Sequence, residues 1–284
     1  MRVRTGFNNQ HPYGSNGRNA LDELQAWGSR WKVQFELTKR QGMSMSRRST
    51  PLPPSSLSFD GTVIREETDV KLLGVTFDRK LLFRSHLHQV AVRASQRLGF
   101  FRKVCPVLDR NGRLSVYKGF IRPTMEYAPL VWQGAARSNL AKLDRIQQRC
   151  MRSIGAVTML PSLSVRWQVS GLCYVIKLHY ISGPAQLTDM LPPAAPEPAR
   201  PRTHHQHHVK HSHAFQLSNP LPATSPDILH RSFPFSLLTT WNALPSAILN
   251  ASPSKAALQR FKVAVYKYLL EQSCGTAVDV YTTD

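Results

Sequence analysis

Apolar residues recur at helical spacing over most of this chain, and alternate with polar ones, as in a strand, only in its first third. Leu21, Leu24, Trp27 (or Gly28) and Trp31 trace one face of a helix. Asn19 is placed to cap it, with Asp22 and Glu23 in the first turn. Val33 and Phe35 alternate with polar neighbours and predict a short strand, for which Gln41 to Arg47 is the expected partner. The proline-rich residues 49–56 read as a loop, and residues 56–77 as a hairpin-like β unit around the tight-turn pair Asp60-Gly61.

Helical spacing dominates after Phe83. Ser85 is a candidate N-cap for a helix buried along Leu87, Val90, Ala91, Ala94, Leu98 and Phe101. A shorter helix over Gly112 to Ile121 groups Leu114, Tyr117 and Ile121, and Pro123 separates it from the next segment. Ser138 is placed to cap a third, with Leu140, Leu143, Ile146, Cys150 and Ile154 inward, and a fourth is expected between Ser164 and Ile181. Residues 183–234 then switch to proline and histidine and read as a linker. At the end, Ser252 and Pro253 head a helix with Leu258, Phe261, Val265, Tyr268 and Leu269 on its apolar face. Residues 1–18 are polar and aperiodic and are expected to be disordered. The fold class is α+β, mostly α.

Charge changes the picture most. A net charge of +20 and a pI of about 10.4 point to a phosphate-rich partner. Between Arg93 and Arg152 thirteen Lys or Arg face only Asp109, Glu126 and Asp144, whereas a merely solvated helical face mixes both signs. Arg93, Arg97, Arg102, Lys103, Arg113, Lys118, Arg122, Lys142, Arg145 and Arg149 are therefore candidate nucleic-acid contacts. No run of about 18 apolar residues suggests a membrane span, and the N-terminus lacks the apolar stretch of a signal peptide. An intracellular location, nucleus or cytoplasm, is expected. Cys105, Cys150, Cys173 and Cys274 are scattered among apolar neighbours and read as core filler. Of Trp27, Trp31, Trp132, Trp167 and Trp241, most are expected in the core or at its rim.

Enzymatic chemistry finds no support in the residues. Nucleotidyl transfer needs two carboxylates holding metal ions, yet no two of the ten Asp are adjacent and none precedes Asp22. Phosphate-cradling Gly-Lys-Ser/Thr and Gly-x-Ser-x-Gly motifs are both missing. His204, His205, His207, His208, His211 and His213 sit in the linker with no carboxylate beside them, so they predict adventitious metal binding and no metal site.

Several motifs nevertheless occur in a telling order. Leu24 (or Leu21), Trp27, Trp31, Phe35 and Lys39, then KLLGVTFDRKLLFRSHL from Lys71, YKGFIRPTMEYAPLVWQGA, LAKLDRIQQRCMRSIG and WNALPSAILNASPSKAALQRFK resemble the non-LTR (LINE-type, Jockey-like) retrotransposon reverse transcriptases. Glu36 and Arg40 stand where Asn and Thr are usual in that family. The resemblance implies a palm-end remnant with a primer-grip-like β unit over residues 19–83 and a helical thumb over 84–182. The linker over 183–234 and a C-terminal helical segment over 235–284 would complete the chain. It implies that Lys39 matches a palm general acid and that Leu73, Gly74 and Val75 match the turn supporting the primer terminus. It further implies a truncated polymerase, inactive alone, that binds RNA or DNA duplex without reading its sequence. No cofactor is expected in this chain, although the full-length family uses Mg²⁺. The competing expectations are a non-enzymatic interaction or scaffold fragment, and a pseudogene-like product without function.

Overall fold

The computed structural model describes residues 15–36, 39–46, 57–155, 160–180, 185–189, 191–195, 215–225, 227–249 and 255–278. The chain forms two compact units, Met1–His86 and Leu87–Asp284. It is mostly helical with two small two-stranded sheets, in keeping with an α+β, mostly α class.

The first unit opens with α1 (Ser15–Trp31). The helix starts before Asn19, which lies inside it and is not the cap. Its end explains why Val33 to Phe35 form no strand. Lys32 takes a left-handed φ of 53°, and its N–H and that of Val33 return to the carbonyls of Ser29 (3.4 Å) and Gly28 (2.9 Å). This double return closes the helix and uses the N–H that a ladder would need. The described part of the segment expected as its partner pairs elsewhere: Gly42 donates to Arg65 O (3.1 Å) and accepts from Glu67 N–H (2.8 Å). Trp31 is 62% exposed, so the apolar stripe read along α1 does not reach its last turn.

Two antiparallel hairpins come next. β1 (Ser58–Phe59) pairs with β2 (Thr62–Val63), and β3 (Asp69–Leu72) with β4 (Val75–Asp78), Leu72 lying opposite Val75. Both loops have two residues at positive φ, 54° and 69° at Asp60-Gly61 and 47° and 83° at Leu73-Gly74, a geometry whose twist matches the flanking strands. Asp60-Gly61 suits it. Leu73 does not, since a bulky side chain in the left-handed region costs about 1–2 kcal/mol. Arg40 binds the unit together: its guanidinium donates to Phe59 O (2.7 Å) and Phe35 O (3.2 Å) and lies 4.5 Å from the Phe59 ring centroid. The Asp78 carboxylate accepts from the backbone N–H of Lys80 (3.0 Å), Leu82 (3.0 Å) and Phe83 (2.5 Å). It, and not Ser85, organises the entry to α2 (Arg84–Val104), because Ser85 already lies within the helix.

In the second unit α2 buries Leu87, Val90, Ala94, Leu98 and Phe101, the expected face. Asp109 caps α3 (Arg110–Val116), accepting from Gly112 N–H at 2.8 Å. Pro123 does not break the helical run. A π turn over Tyr117–Ile121 carries the chain into α4 (Arg122–Met125), where Pro123 sits in the first turn. There its missing N–H costs nothing, and the wider turn clears its ring. Then come α5 (Pro129–Trp132), α6 (Arg137–Ile154), α7 (Leu163–Tyr180) and α8 (Ala185–Thr188). Ala136, and not Ser138, precedes α6, and Gly155 ends it at a φ of 75°. Residues 227–278 add α9 (Asp227–Arg231), α10 (Leu238–Asn242), α11 (Ser246–Leu249) and α12 (Lys255–Val278). Ser252 and Pro253, expected to head α12, and the histidine tract lie outside the described residues.

One core joins α7 to the C-terminal helices. Val165, Val169, Leu172, Val175 and Ile176 pack with Leu237, Leu238, Trp241, Leu244, Leu249, Phe261, Val265 and Leu269. Leu217, from the stretch read as linker, belongs to the same core. Its neighbours are bonded to residues 193–195, Ala195 N–H to Gln216 O (2.8 Å) and Ser218 N–H to Pro193 O (2.8 Å). Its own backbone is met by the Asn242 amide, which accepts from Leu217 N–H (2.9 Å) and donates to Leu217 O (2.9 Å). The neighbouring Trp241 donates its indole N–H to Phe215 O (2.7 Å).

Gly134 and Gly99 separate packing from propensity. A Cβ on Gly134 would fall on the backbone carbonyl of Arg231, while one on Gly99, exposed within α2, would meet nothing within 4 Å. Gly134→Ala is expected to lower stability by about 1–3 kcal/mol, and Gly99→Ala to raise it by roughly 0.5–1 kcal/mol. Denaturant unfolding of both variants measures the difference.

Candidate nucleic-acid interface

The basic residues divide into two classes by what their side chains touch. Arg113 donates to Cys105 O (2.8 Å) and Leu108 O (2.9 Å), closing the turn after α2. Arg97 donates to Phe120 O (2.5 Å) and Thr124 Oγ1 (2.6 Å), meeting the backbone of the π turn. Arg122 is half-buried and paired with Glu126 at 3.5 Å. These three are structural first. Arg93, Arg102, Lys103, Lys118, Lys142, Arg145 and Arg149 are exposed and form no ion pair among the described residues. Arg93 Nε reaches only Gln89 O in its own helix (3.3 Å), and Lys142 Nζ only Asn139 Oδ1 (3.1 Å).

Helix α6 arranges its share as a line. Lys142, Arg145, Arg149 and Arg152 are all exposed and succeed one another at steps of three, four and three, which keeps them on one face. Leu143, Ile146, Cys150, Met151 and Ile154 are buried on the other side. At a 1.5 Å rise per residue the cationic face runs for roughly 15 Å. Arg152 extends the line predicted from sequence by one further turn.

Two of the three opposing acids are engaged away from this face. Asp109 is engaged as a helix cap. Glu126 receives a two-pronged bond from Arg166, whose Nε and Nη2 donate to its two oxygens, the second at 2.9 Å. That hydrogen bonding holds the Arg166 guanidinium above its usual range. Asp144 is half-buried, and burial pushes its carboxyl up. Next to this site the buried Tyr117 donates to Gln147 Oε1 (3.1 Å), whose amide donates to Pro161 O (2.9 Å). Burial raises the Tyr117 hydroxyl well above its ordinary value and pushes the thiol of Cys150 up to about 12 and of Cys173 to about 11. Such thiols are packing groups, not nucleophiles.

The candidates from the first unit do not converge on chemistry. Lys39 is exposed, and its backbone N–H turns back to Glu36 O (3.4 Å). No group of three or more His, Cys, Asp or Glu that could hold a metal ion occurs among the described residues. Leu73 and Gly74 form the tip of the β3–β4 hairpin, where Leu73 is 77% exposed, and Val75 is buried one residue later. Sequence reading passed over His86, which is buried and accepts Thr76 N–H at Nδ1 (3.3 Å), joining β4 to the start of α2. It also passed over Arg166, and gave Arg40 no structural role, since a cation in a basic chain gives no sign of being internal. Trp132, Trp167 and Trp241 are buried, the first two edge to face at 5.1 Å. No helix among the described residues is long and apolar enough to cross a membrane.

Comparison with known proteins finds relatives. The chain is 27% identical over 214 residues to the RNA-directed DNA polymerase from mobile element jockey of Drosophila melanogaster, a match covering 70% of this chain and 23% of that protein. It is 26% identical over 137 residues to the probable RNA-directed DNA polymerase from transposon BS of the same fly, covering 47% of this chain and 15% of the other. A retrovirus-related Pol polyprotein from the type-1 retrotransposable element R1 of Bradysia coprophila is 27% identical over 152 residues, 50% of this chain and 15% of its own. The homologues are Jockey-like non-LTR retrotransposon RNA-directed DNA polymerases. The chain spans under a quarter of the length of these curated relatives. No protein-family model and no solved structure matches it.

The two classes of cation are separable by experiment. Glu126→Gln leaves Arg166 and Arg122 without their carboxylate and is expected to cost about 2 kcal/mol. Arg145→Ala and Arg149→Ala are expected to change stability by no more than about 0.5 kcal/mol. Thermal unfolding of the three variants measures this. The weakened acidity of the buried Cys150 thiol also fixes a direction with pH. The unfolded chain loses the Cys150 proton near its ordinary 9.0 while the folded chain retains it to about 12, so stability falls as pH rises past 9. Cys150→Ala is expected to make that alkaline decline of the melting temperature shallower.

Proposed function

We propose that this chain is the nucleic-acid-gripping portion of a Jockey-like reverse transcriptase, holding RNA or DNA duplex through its phosphates without reading sequence. In this reading residues 19–83 are the end of the palm, residues 84–182 a helical thumb and residues 235–284 a C-terminal extension, with Leu73-Gly74-Val75 at the primer-grip position. The observation that supports it best is the exposed line Lys142, Arg145, Arg149 and Arg152 on α6, with no carboxylate paired to it among the described residues. About 15 Å of such a face spans roughly four phosphates of one strand at 3.4 Å each. Arg93, Arg102, Lys103 and Lys118 extend the same charge over α2 and the π turn.

Polymerisation by this chain alone is not part of the proposal. It has no adjacent pair of aspartates of the kind that holds the metal ions of nucleotidyl transfer. Purified protein with primer, template, dNTPs and Mg²⁺ is expected to yield no extended product.

Equilibrium binding to a duplex of arbitrary sequence at several salt concentrations tests the grip. The four α6 cations alone predict that log K falls against log salt with a slope of at least about 3.6, from roughly 0.9 per neutralised phosphate. The double variant Arg145→Ala/Arg149→Ala is expected to shallow the slope by about 2. No affinity at low salt, or a flat salt response, would favour a protein-interaction role and sink the proposal.

A further inference from the structure

Two phenylalanines stand out on the basic face of the second unit. Phe100 on α2 is 57% exposed and Phe120 on the π turn is 38% exposed, although both are large and apolar. They are in contact, with ring centroids 5.8 Å apart and planes inclined at 65°. The Arg97 guanidinium lies 4.8 Å from the Phe120 centroid while donating to the carbonyl of the same residue. Phe120 is thus held by Arg97 on its face and by Phe100 beside it. Phe100 is the ring with surface to offer.

The surroundings name the occupant. Arg97, Phe100 and Lys103 succeed one another at steps of three on α2, so a cation flanks the ring on either side along the helix. Lys118, exposed, precedes Phe120 by two residues. Neither α2 nor the run from Arg110 to Met125 contains an acidic residue. An exposed aromatic ring among unopposed cations is what an unpaired nucleotide needs: a face for its base and charge for its phosphates. A lipid surface would need a broader apolar face than two rings supply.

We infer that Phe100, backed by Phe120 and Arg97, is a stacking site for an unpaired base of single-stranded RNA or DNA. The inference rests on the grip reading above and adds a second ligand form to it, a strand leaving the duplex. Stacking accepts any base, so the site carries no sequence preference of its own.

The test uses the full chain and a single-stranded oligonucleotide containing 2-aminopurine, with a duplex and anionic phosphatidylserine vesicles as comparisons. Phe100→Ala is expected to weaken single-strand binding about tenfold, within the range for loss of one base–aromatic stack. It should abolish the 2-aminopurine quench and leave both the salt slope and duplex affinity unchanged. Phe100→Trp should retain binding, whereas Phe100→Leu, which keeps apolar bulk without a ring, should not. Since Phe100 is exposed, unchanged melting temperatures are expected for all three. Wild-type single-strand binding unaffected by Phe100→Ala and Phe100→Leu overturns this inference and leaves the grip standing. Failure of the wild-type chain to bind any nucleic acid at low salt overturns both. Vesicle binding lost in Phe100→Ala, with oligonucleotide binding intact, makes the ring a lipid contact and also overturns it.

Discussion

The second unit is organised by the need to enclose one helix. Of α7, Leu163, Val165, Trp167, Val169, Leu172, Val175, Ile176 and Leu178 are all buried, residues spread over about two thirds of its circumference. A helix so widely apolar keeps only a narrow polar face, here Arg166, Ser170 and Lys177, and must be covered on its other sides. The C-terminal helices cover part of it. Near its start, Trp132 leans on Trp167, Trp167 donates to Met125 O (3.3 Å), and Arg166 grips Glu126. Once the apolar surface is used inward in this way, the outer faces of α2 and α6 are left to charge.

Polar side chains replace secondary structure at the joints. The Asn242 amide presents a donor and an acceptor to Leu217 as a neighbouring strand would. Arg113 and Arg97 meet carbonyls around the 105–108 turn and the π turn, and Asp78 collects three N–H groups ahead of α2. Each satisfies backbone groups that irregular structure would otherwise leave without partners, at the cost of fixing one side chain. The net charge therefore overstates the surface available to a polyanion, because part of it is engaged internally.

How much of this was legible depends on whether a signal was periodic or pairwise. The stripes of α2, α6 and α12 were read correctly because 3.6-residue spacing is a property of the helix alone. Asp60-Gly61 was legible because its turn chemistry is local, whereas Leu73-Gly74 forms the same turn against the preference of its first residue. Caps failed at Asn19, Ser85 and Ser138, where a residue able to cap lay inside or beside a helix that began elsewhere. Pro123 misled because its usual effect assumes an α-helical backbone, and the chain supplies a π turn. Nothing in the sequence around Trp241 and Asn242 discloses their work, since Leu217 lies 25 residues away from Asn242. The α6 face was visible as composition; only the helix bounds turned it into a line.

The double hold on Leu217 has a consequence for how this chain can vary. Residues 193–195 and 216–218 are bonded directly to each other, so the two ends of the intervening chain meet at one place. With both ends anchored, the entropy of closing a loop rises only logarithmically with its length. Changes of length between those anchors therefore cost the core little.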